Sequence, residues 1–261
     1  MESSRAQGTA GSEAITRLEE LSINAWPSLQ TVIYDGWVLR FADGYTKRAN
    51  SSNPLYGGVL DVNEKIDACE ELYSGRYLDT VFKLTPASHP ADLDRILSAR
   101  GYVLESGSAI QTLDLQSDIV GRDGPEVTLS PGASDEWLSA FCQMSGLDEQ
   151  KKGIARQMFL NIVPEKRLAS ISDGERGIIA CGMAVLQGDY VGLFDIVTHG
   201  NFRRRGHGRR LVMSLLQWAK KNGASKAYLQ VALNNEAALT LYSSLGFTEA
   251  YRYWYRVKKY G

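Results

Sequence analysis

The sequence predicts an α+β protein in which strands and helices alternate along the chain. An apolar run rich in β-branched residues over 191–198 indicates a strand, and the apolar positions that follow from Leu211 have the spacing of a helix. A second strand-like run, over residues 226–233, precedes another helical pattern. Two consecutive strand-and-helix units therefore define the second half of the chain.

The first half of the chain contains a comparable mixture of elements. Asp35-Gly36 separates two strand-like runs and predicts a hairpin, whereas Pro90 and Gly101 stand where a helix begins and ends. The elements predicted in this half are a helix over 13–25, strands over 31–34 and 36–42, a helix over 62–73, a strand over 80–84 and a helix over 90–99.

In the second half, Gly188-Asp189 indicates another hairpin, and the alternating pattern near the end of the chain is typical of a strand. The elements predicted here are helices over 137–144 and 149–160, strands over 177–186 and 190–198, a helix from Leu211, a strand over 226–233, a helix from Asn235 to Gly246 and a strand over 251–257.

A basic turn lies between the strand 191–198 and the helix that follows it, with the sequence Arg203-Arg204-Arg205-Gly206-His207-Gly208. The first N–H groups of a helix have no partners within the helix, and the helix dipole adds partial positive charge there. Glycines let the backbone approach an anion closely. We therefore predict that this turn binds phosphate, although a solvated basic loop has the same composition.

The next helix presents Asn235, Ala238 and Tyr242 on one face, because they are separated by three and then four residues. A small residue between two polar ones leaves a shallow groove over two helical turns. Packing of Tyr242 beneath the last strand is the simpler alternative for that residue.

These two segments resemble the GNAT superfamily of acyl-CoA-dependent N-acyltransferases over residues 126–258. The phosphate signature Q/R-x-x-G-x-G/A is matched by Arg203, Gly206 and Gly208. The second signature is N-x-x-A-x-x-L-Y followed by a G-F pair. It is matched by Asn235, Ala238, Leu241, Tyr242, Gly246 and Phe247.

The resemblance implies a GNAT fold, a central twisted mixed β-sheet flanked by helices. It also implies an N-acetyltransferase that moves an acetyl group from acetyl-CoA, as co-substrate, to a primary amine of a small molecule or protein by direct attack in a ternary complex. The strand before the phosphate turn would splay from its neighbour, and Tyr242 would be the general acid. The residues that would bind the cofactor are Ile196, Val197, Thr198, Arg203, Arg204, Arg205, Gly206, His207, Gly208, Arg209, Asn235 and Ala238.

The general base is left open by the sequence. Gly192 and Phe194 occupy the positions where the resemblance leads us to expect a carboxylate, and Asp195 is the acidic residue that this strand offers. Alternation along a strand puts Asp195 on the opposite face from those two residues unless a bulge shifts the phase. Asp195, a chain of water molecules, or a purely structural pairing of Asp195 with a cation are the alternatives.

The chain is long enough for two domains, and its charge is unevenly shared, −7 over residues 1–125 and +6 over 126–261. Residues 1–12 are small and polar and predict a disordered tail. Residues 13–125 are predicted to be a degenerate GNAT-like half, as in two-half bacterial members, with Leu97 at the position equivalent to Tyr242. Residues 126–261 are predicted to be the catalytic domain.

Two further alternatives concern the role of the halves. The first half could contribute acceptor contacts from Trp37, Arg40, Tyr45, Lys47 and Arg48, or these residues could belong to its own packed core. The whole chain could also be a non-catalytic acyl-CoA-binding sensor or regulatory module rather than an enzyme.

Composition argues against other classes of function. The pI of about 6.3 and the single aromatic residue beside the arginines do not favour nucleic-acid binding, and no run is long enough to span a membrane. Three scattered cysteines lack metal-ligand spacing, so we expect no metal and a reducing, cytoplasmic location. A monomer or homodimer is expected.

Overall fold

The computed structural model describes residues 2–115 and 126–261. Its helices are α1 Glu2–Ala25, α2 Val62–Ser74, α3 Leu93–Ala99, α4 Asp135–Ser145, α5 Glu149–Leu160, α6 His207–Lys221 and α7 Glu236–Ser244. Its strands are β1 Gln30–Tyr34, β2 Trp37–Phe41, β3 Ser52–Asn53, β4 Thr80–Leu84, β5 Val103–Asp114, β6 Thr128–Ser130, β7 Glu165–Asp173, β8 Gly177–Gln187, β9 Tyr190–Thr198, β10 Lys226–Ala232 and β11 Thr248–Lys258. The predicted α+β class, with a mixed sheet flanked by helices, is confirmed.

The chain divides into two compact units. Met1–Ala109 together with Tyr251–Gly261 forms the first unit, and Ile110–Ala250 forms the second. The sequence pattern instead predicted one domain over 126–261, which would include Tyr251–Gly261. The difference arises because the end of β11 pairs antiparallel with β4, from Trp254 opposite Leu84 onward.

The first unit orders its strands β1-β2-β3-β4-β11. The predicted hairpin is confirmed: β1 and β2 are antiparallel, and both turn residues, Asp35 and Gly36, have positive φ, as a type I′ turn requires. Strand β3 runs parallel to β4. Helix α2 packs its apolar face on this sheet, where Ile66 joins Leu39 and Phe82 in a buried core.

Helix α1 corrects the prediction for the start of the chain. It begins at Glu2 rather than at residue 13, so the stretch for which a disordered tail was predicted is helical from Glu2 onward. Its polar composition indicated disorder, but the segment contains no proline that would end a helix. Helix α3 begins at Leu93 rather than at the predicted Pro90.

The second unit orders its strands β6-β7-β8-β9-β10. Strands β8 and β9 form the predicted hairpin, whereas β9 and β10 are parallel. Helix α6 buries Leu211, Leu215 and Trp218, the positions whose spacing predicted it. The sequence pattern did not predict β3 in the first unit, nor β5, β6 or β7. No helix of the described residues combines the length and apolarity that crossing a membrane requires.

Candidate active site

Strand β9 contains a β-bulge in the middle of its pairing with β8. Cys181 lies opposite Val197 and Met183 lies opposite Phe194, so Gly182 faces two residues, Asp195 and Ile196. Asp195 has a φ of 54°, in the left-handed region. A Cβ atom on Gly182 would lie 2.4 Å from Ile196 Cδ1, so a larger residue there would require the Ile196 side chain to move. The bulge changes the face to which the following residues point.

The end of β9 separates from β10. Their parallel pairing runs as far as Leu193 opposite Leu229, whereas β9 continues to Thr198 and β10 to Ala232. The splay that the resemblance implied at this strand is therefore present. Residues 194–198 of β9 therefore lie beyond the last residue pair that β9 shares with β10.

The predicted phosphate turn begins helix α6. Gly206 is its N-cap residue, with a φ of 83° and no hydrogen bond from a capping side chain. In the same unit, Ser134 caps α4 and Asp148 caps α5 through side-chain oxygens. A Cβ atom on Gly206 would meet no atom within 4 Å. The N-cap residue of α6 therefore contributes no side-chain acceptor to the first N–H groups of the helix, which an external anion could bind.

The arginines around this turn have different roles. The side chains of Arg203, Arg204 and Arg205 are exposed. Arg203 Nε donates to the Thr198 carbonyl at 3.3 Å, which joins the turn to the end of β9. Arg209 Nη1 donates to the carbonyl and to Oγ of Ser244, which joins α6 to α7.

His207 is buried beneath the turn rather than exposed on it. Burial, and then the charges of Arg210 and Arg205, lower the pKa of His207 below its usual range. The imidazole is therefore neutral at pH 7. The His207 side chain therefore carries no positive charge that could attract an anion to this turn.

Asn235 and Ala238 start helix α7. Asn235 Oδ1 accepts a hydrogen bond of 3.2 Å from the Ala238 N–H, so Asn235 is an N-cap residue. Gly208 lies against the same helix, because a Cβ atom there would be 3.4 Å from Leu241 Cδ2. The two signature segments thus pack on each other, and Gly208 also sets the spacing between α6 and α7.

Tyr242 is 8% exposed and lies two turns into α7. Its ring packs edge-on against Phe247, with 5.8 Å between centroids. Burial, and then the nearby Asp195 carboxylate, raise the pKa of Tyr242 to about 12. The phenol therefore keeps its proton at neutral pH.

The same carboxylate acts on two buried thiols. Burial first, and Asp195 in addition, raise the pKa values of Cys142 on α4 and Cys181 on β8. Both cysteines are free thiols, and their high pKa values keep them protonated. The bulge therefore places Asp195 in electrostatic range of Tyr242, an association that strand alternation alone did not predict.

The position of Gly192 has no space for a carboxylate. A Cβ atom there would be 2.6 Å from Phe194 Cε2 and from Cζ and the hydroxyl oxygen of Tyr228. These rings meet edge to face, with 6.1 Å between centroids. Of the three β9 positions considered, Asp195 alone brings an acidic group to the region of Tyr242.

The suggested acceptor contacts in the first unit are mostly structural. Trp37, Arg40 and Tyr45 are buried in this unit. Trp37 Nε1 donates to the His89 carbonyl at 3.0 Å, and Arg40 donates to backbone carbonyls. Lys47 is half-buried and pairs with Glu105. Trp37 and Arg40 lie on β2, which is buried along its whole length, and Tyr45 is buried in the same unit.

Sequence comparison finds relatives along nearly the whole chain. Residues 12–256 match the family described as "Probable histone acetyltransferase Rv0428c C-terminal". The uncharacterized N-acetyltransferase YobR of Bacillus subtilis is 29% identical over 252 residues, which cover 94% of this chain and 99% of that protein. The probable histone acetyltransferase Rv0428c of Mycobacterium tuberculosis is 25% identical over 245 residues, 90% of this chain and 70% of that protein.

Among solved structures, a GCN5-related N-acetyltransferase from Kribbella flavida superposes with a TM-score of 0.68. The alignment has 17% sequence identity and covers 94% of this chain and 95% of the other. At this identity the likeness concerns the fold.

Proposed function

Because the chain belongs to the Rv0428c C-terminal acetyltransferase family within the GNAT superfamily, and is therefore an acyltransferase, we propose that it acetylates a primary amine with acetyl-CoA as the donor. The acceptor would be a small molecule or a protein. The amine would attack the thioester directly while both substrates are bound. Membership of this family favours an enzyme over a non-catalytic acyl-CoA-binding module.

The uncapped start of α6 is the observation that supports the proposal most strongly. The backbone N–H groups of Gly206, His207 and Gly208 would hold the diphosphate of CoA, with Arg203, Arg204 and Arg205 adding positive charge at the rim. Bound there, acetyl-CoA supplies an activated acetyl group as a thioester. In the described part of the chain the N-cap of α6 contributes no side-chain acceptor, so a diphosphate could accept from these donors.

The separated end of β9 would hold the rest of the donor. Backbone groups of Ile196, Val197 and Thr198 lie beyond the last pair shared by β9 and β10, so they can form hydrogen bonds with an extended amide-bearing chain. An N–H group in this segment would also stabilise negative charge on the thioester oxygen. The splayed strands would therefore align the reactive carbonyl with Tyr242.

Tyr242 would donate a proton to the departing thiolate. A thiol has a reference pKa of about 8.5, so transfer from a phenol with a pKa of about 12 is unfavourable unless other groups assist it. Asp195 supplies that assistance if it first accepts the proton that the amine loses. Neutralising Asp195 removes one of the two causes that raise the pKa of Tyr242, and the phenol becomes a stronger acid as the thiolate forms.

Asp195 would receive the amine proton directly or through water. An alkylamine has a reference pKa near about 10.4, so an acceptor for its proton is needed at neutral pH. Two observations support this role: Asp195 lies at the bulge in β9, and its carboxylate contributes to the raised pKa of Tyr242. The two proton transfers would then be coupled through one electrostatic interaction.

The experiment is thiol release from acetyl-CoA with a pooled amine library, with acetylated products identified by mass spectrometry. We expect amine-dependent release by the native protein and a fall in kcat of about 100-fold in Tyr242→Phe, which keeps the ring and removes the proton. Tyr190→Phe, at the far end of β9, is the matched control and should retain native activity. Absence of turnover with every amine, or a native rate in Tyr242→Phe, would contradict the proposal.

A further inference from the structure

Strand β1 is an exposed edge strand. It is the first strand in the order of its unit and pairs with β2, with no described strand on its other side. Its residues Gln30 to Tyr34 include no charge and no proline. Ile33 is 76% exposed and Val32 is 36% exposed. Natural edge strands usually carry a charge, a proline or a bulge that prevents pairing with another chain, so this edge is unprotected.

The turn that follows β1 determines which backbone groups are unpaired. In a two-residue type I′ hairpin the flanking residues, here Tyr34 and Trp37, form a hydrogen-bonded pair. Hydrogen-bonded and non-hydrogen-bonded pairs then alternate along the strand. The N–H and C=O groups of Ile33 and Thr31 therefore point away from β2, toward the open edge.

We propose that β1 pairs antiparallel with β1 of a second copy of this chain, about a two-fold axis at Val32. In this register Thr31 of each copy lies opposite Ile33 of the other. Each such pair exchanges two N–H···O bonds, so the two copies form four. Val32 faces its own equivalent as a non-hydrogen-bonded pair, in which side chains approach closely.

The side chains of β1 are compatible with pairing to β1 of a second copy. Ile33 would lie beside Thr31 of the other copy on one face, and the two Val32 side chains would meet on the other face. Since β1 is uncharged, self-pairing places no like charges opposite each other. Val59 and Leu60 are also exposed, and their N–H groups bind Asp35 in the turn that ends β1.

The contact is symmetric and small. A two-fold axis lets one patch serve both partners, as in most homodimers. Two five-residue strands bury less than the roughly 1,000 Å² that a stable interface needs, so we expect reversible association with a Kd of about 10–100 µM.

Sedimentation velocity on the full chain over about 5–500 µM tests the proposal. The native chain should shift from monomer to dimer across this range, and Ile33→Lys should remain a monomer because two added charges would lie at the new pairing edge. Val163→Lys is the control, since Val163 is 93% exposed in the other unit and should leave association unchanged. A native chain that stays monomeric, or an Ile33→Lys chain that still dimerises, would overturn the proposal.

Cross-linking tests the register and the identity of the partner together. In the proposed pair the two Val32 Cα atoms lie about 4.5 Å apart, within disulfide range. Val32→Cys should form a covalent homodimer under mild oxidation at least 10-fold faster than Val163→Cys. The native cysteines are buried and do not compete. Equal rates for the two variants would overturn the proposed register, and equal melting temperatures would establish that each variant is folded.

Discussion

Each unit contains a strand that leads through a loop to a helix. The two segments differ in which groups bind the backbone N–H donors of the loop and of the helix start. In the second unit, β9 leads to α6, whose first N–H groups meet no side-chain cap. In the first unit, β3 leads to α2, and Asp35 accepts hydrogen bonds of 3.0 Å from the N–H groups of both Val59 and Leu60. Asp61 then caps α2. One turn is open to an external anion, whereas the other already binds carboxylates of its own chain.

A buried lysine adds to the contacts of Asp35 with Val59 and Leu60, which are called the closed turn below. Lys65 Nζ lies 3.0 Å from Asp35 Oδ2 and 4.3 Å from the centroid of the Trp37 ring. The two backbone hydrogen bonds, with Lys65 in addition, hold the pKa of Asp35 below its usual range. Both units therefore present backbone N–H donors near the start of a helix. The presence of a glycine or an aspartate beside these donors decides whether they bind a separate anion or a carboxylate of the same chain.

We expect the greatest loss of CoA affinity when a carboxylate is placed at Gly206, in the turn before α6. Gly206→Glu should weaken CoA binding at least 100-fold, because the side chain adds a negative charge where the diphosphate would bind and strains a residue with a φ of 83°. Isothermal titration calorimetry measures the change.

Two controls separate charge from backbone strain. Gly206→Asn places an uncharged residue that tolerates positive φ at the same position and should lose much less affinity. Gly132→Glu adds the same charge at an exposed glycine elsewhere in the unit and should bind CoA normally. Unchanged binding in Gly206→Glu would show that the diphosphate binds elsewhere.

The next effect concerns the proton acceptor. Asp195→Asn keeps a residue type that tolerates the positive φ of the bulge and should lower kcat at pH 7 about 10- to 100-fold. The loss should shrink as pH rises toward the pKa of the amine, because more of the amine is then already deprotonated. Steady-state rates from pH 7 to 9.5 test this, and Asp189→Asn in the β8–β9 turn is the control. An equal deficit at every pH would contradict a role in accepting the proton.

A smaller effect follows from the cap of α7. Asn235→Ala should cost about 1 kcal/mol of stability and also lower kcat several-fold, because fraying of this helix moves Tyr242. Ser134→Ala removes the equivalent cap from α4 and should lose similar stability with little change in kcat. Thermal melts and steady-state rates measure both. If the two variants have equal kcat values, the position of Tyr242 does not depend on the cap.

The weakest effect that we expect is a change in melting temperature when Asp35 of the closed turn is replaced. Asp35→Asn should lower the melting temperature by a few degrees at pH 7, because Lys65 and two N–H groups lose a charged acceptor. Since folding lowers the pKa of Asp35, its contribution is complete above the ordinary value of about 3.9 and disappears as pH falls through the folded value. The difference from native should therefore shrink below about pH 4. Asp92→Asn, at the start of α3 without a side-chain cap bond, should melt as the native protein does.

The features that sequence could predict are local ones. Helical spacing gave α6, the Asn-to-Gly segment gave α7, and Asp35-Gly36 gave its hairpin, because each depends on residues within a few positions of one another. The superfamily followed from two short signatures for the same reason. The roles assigned to individual site residues stay predictions.

The features that sequence did not predict depend on contacts between distant residues. Asp35 closes a turn 24 residues further along the chain. The bulge at Asp195 lies opposite Gly182 of the facing strand, and a lone glycine inside a strand pattern was the available signal. Strands β5 and β7 contain serines and charges that weaken their alternation, so only pairing with neighbours reveals them.

A crystal structure of the full chain with CoA bound would show whether the diphosphate binds at the start of α6. We expect one CoA per chain, with diphosphate oxygens about 2.7–3.2 Å from the backbone nitrogens at the start of α6 and the sulfur beside Tyr242. A diphosphate bound at the start of α2, or away from both helices, would contradict it.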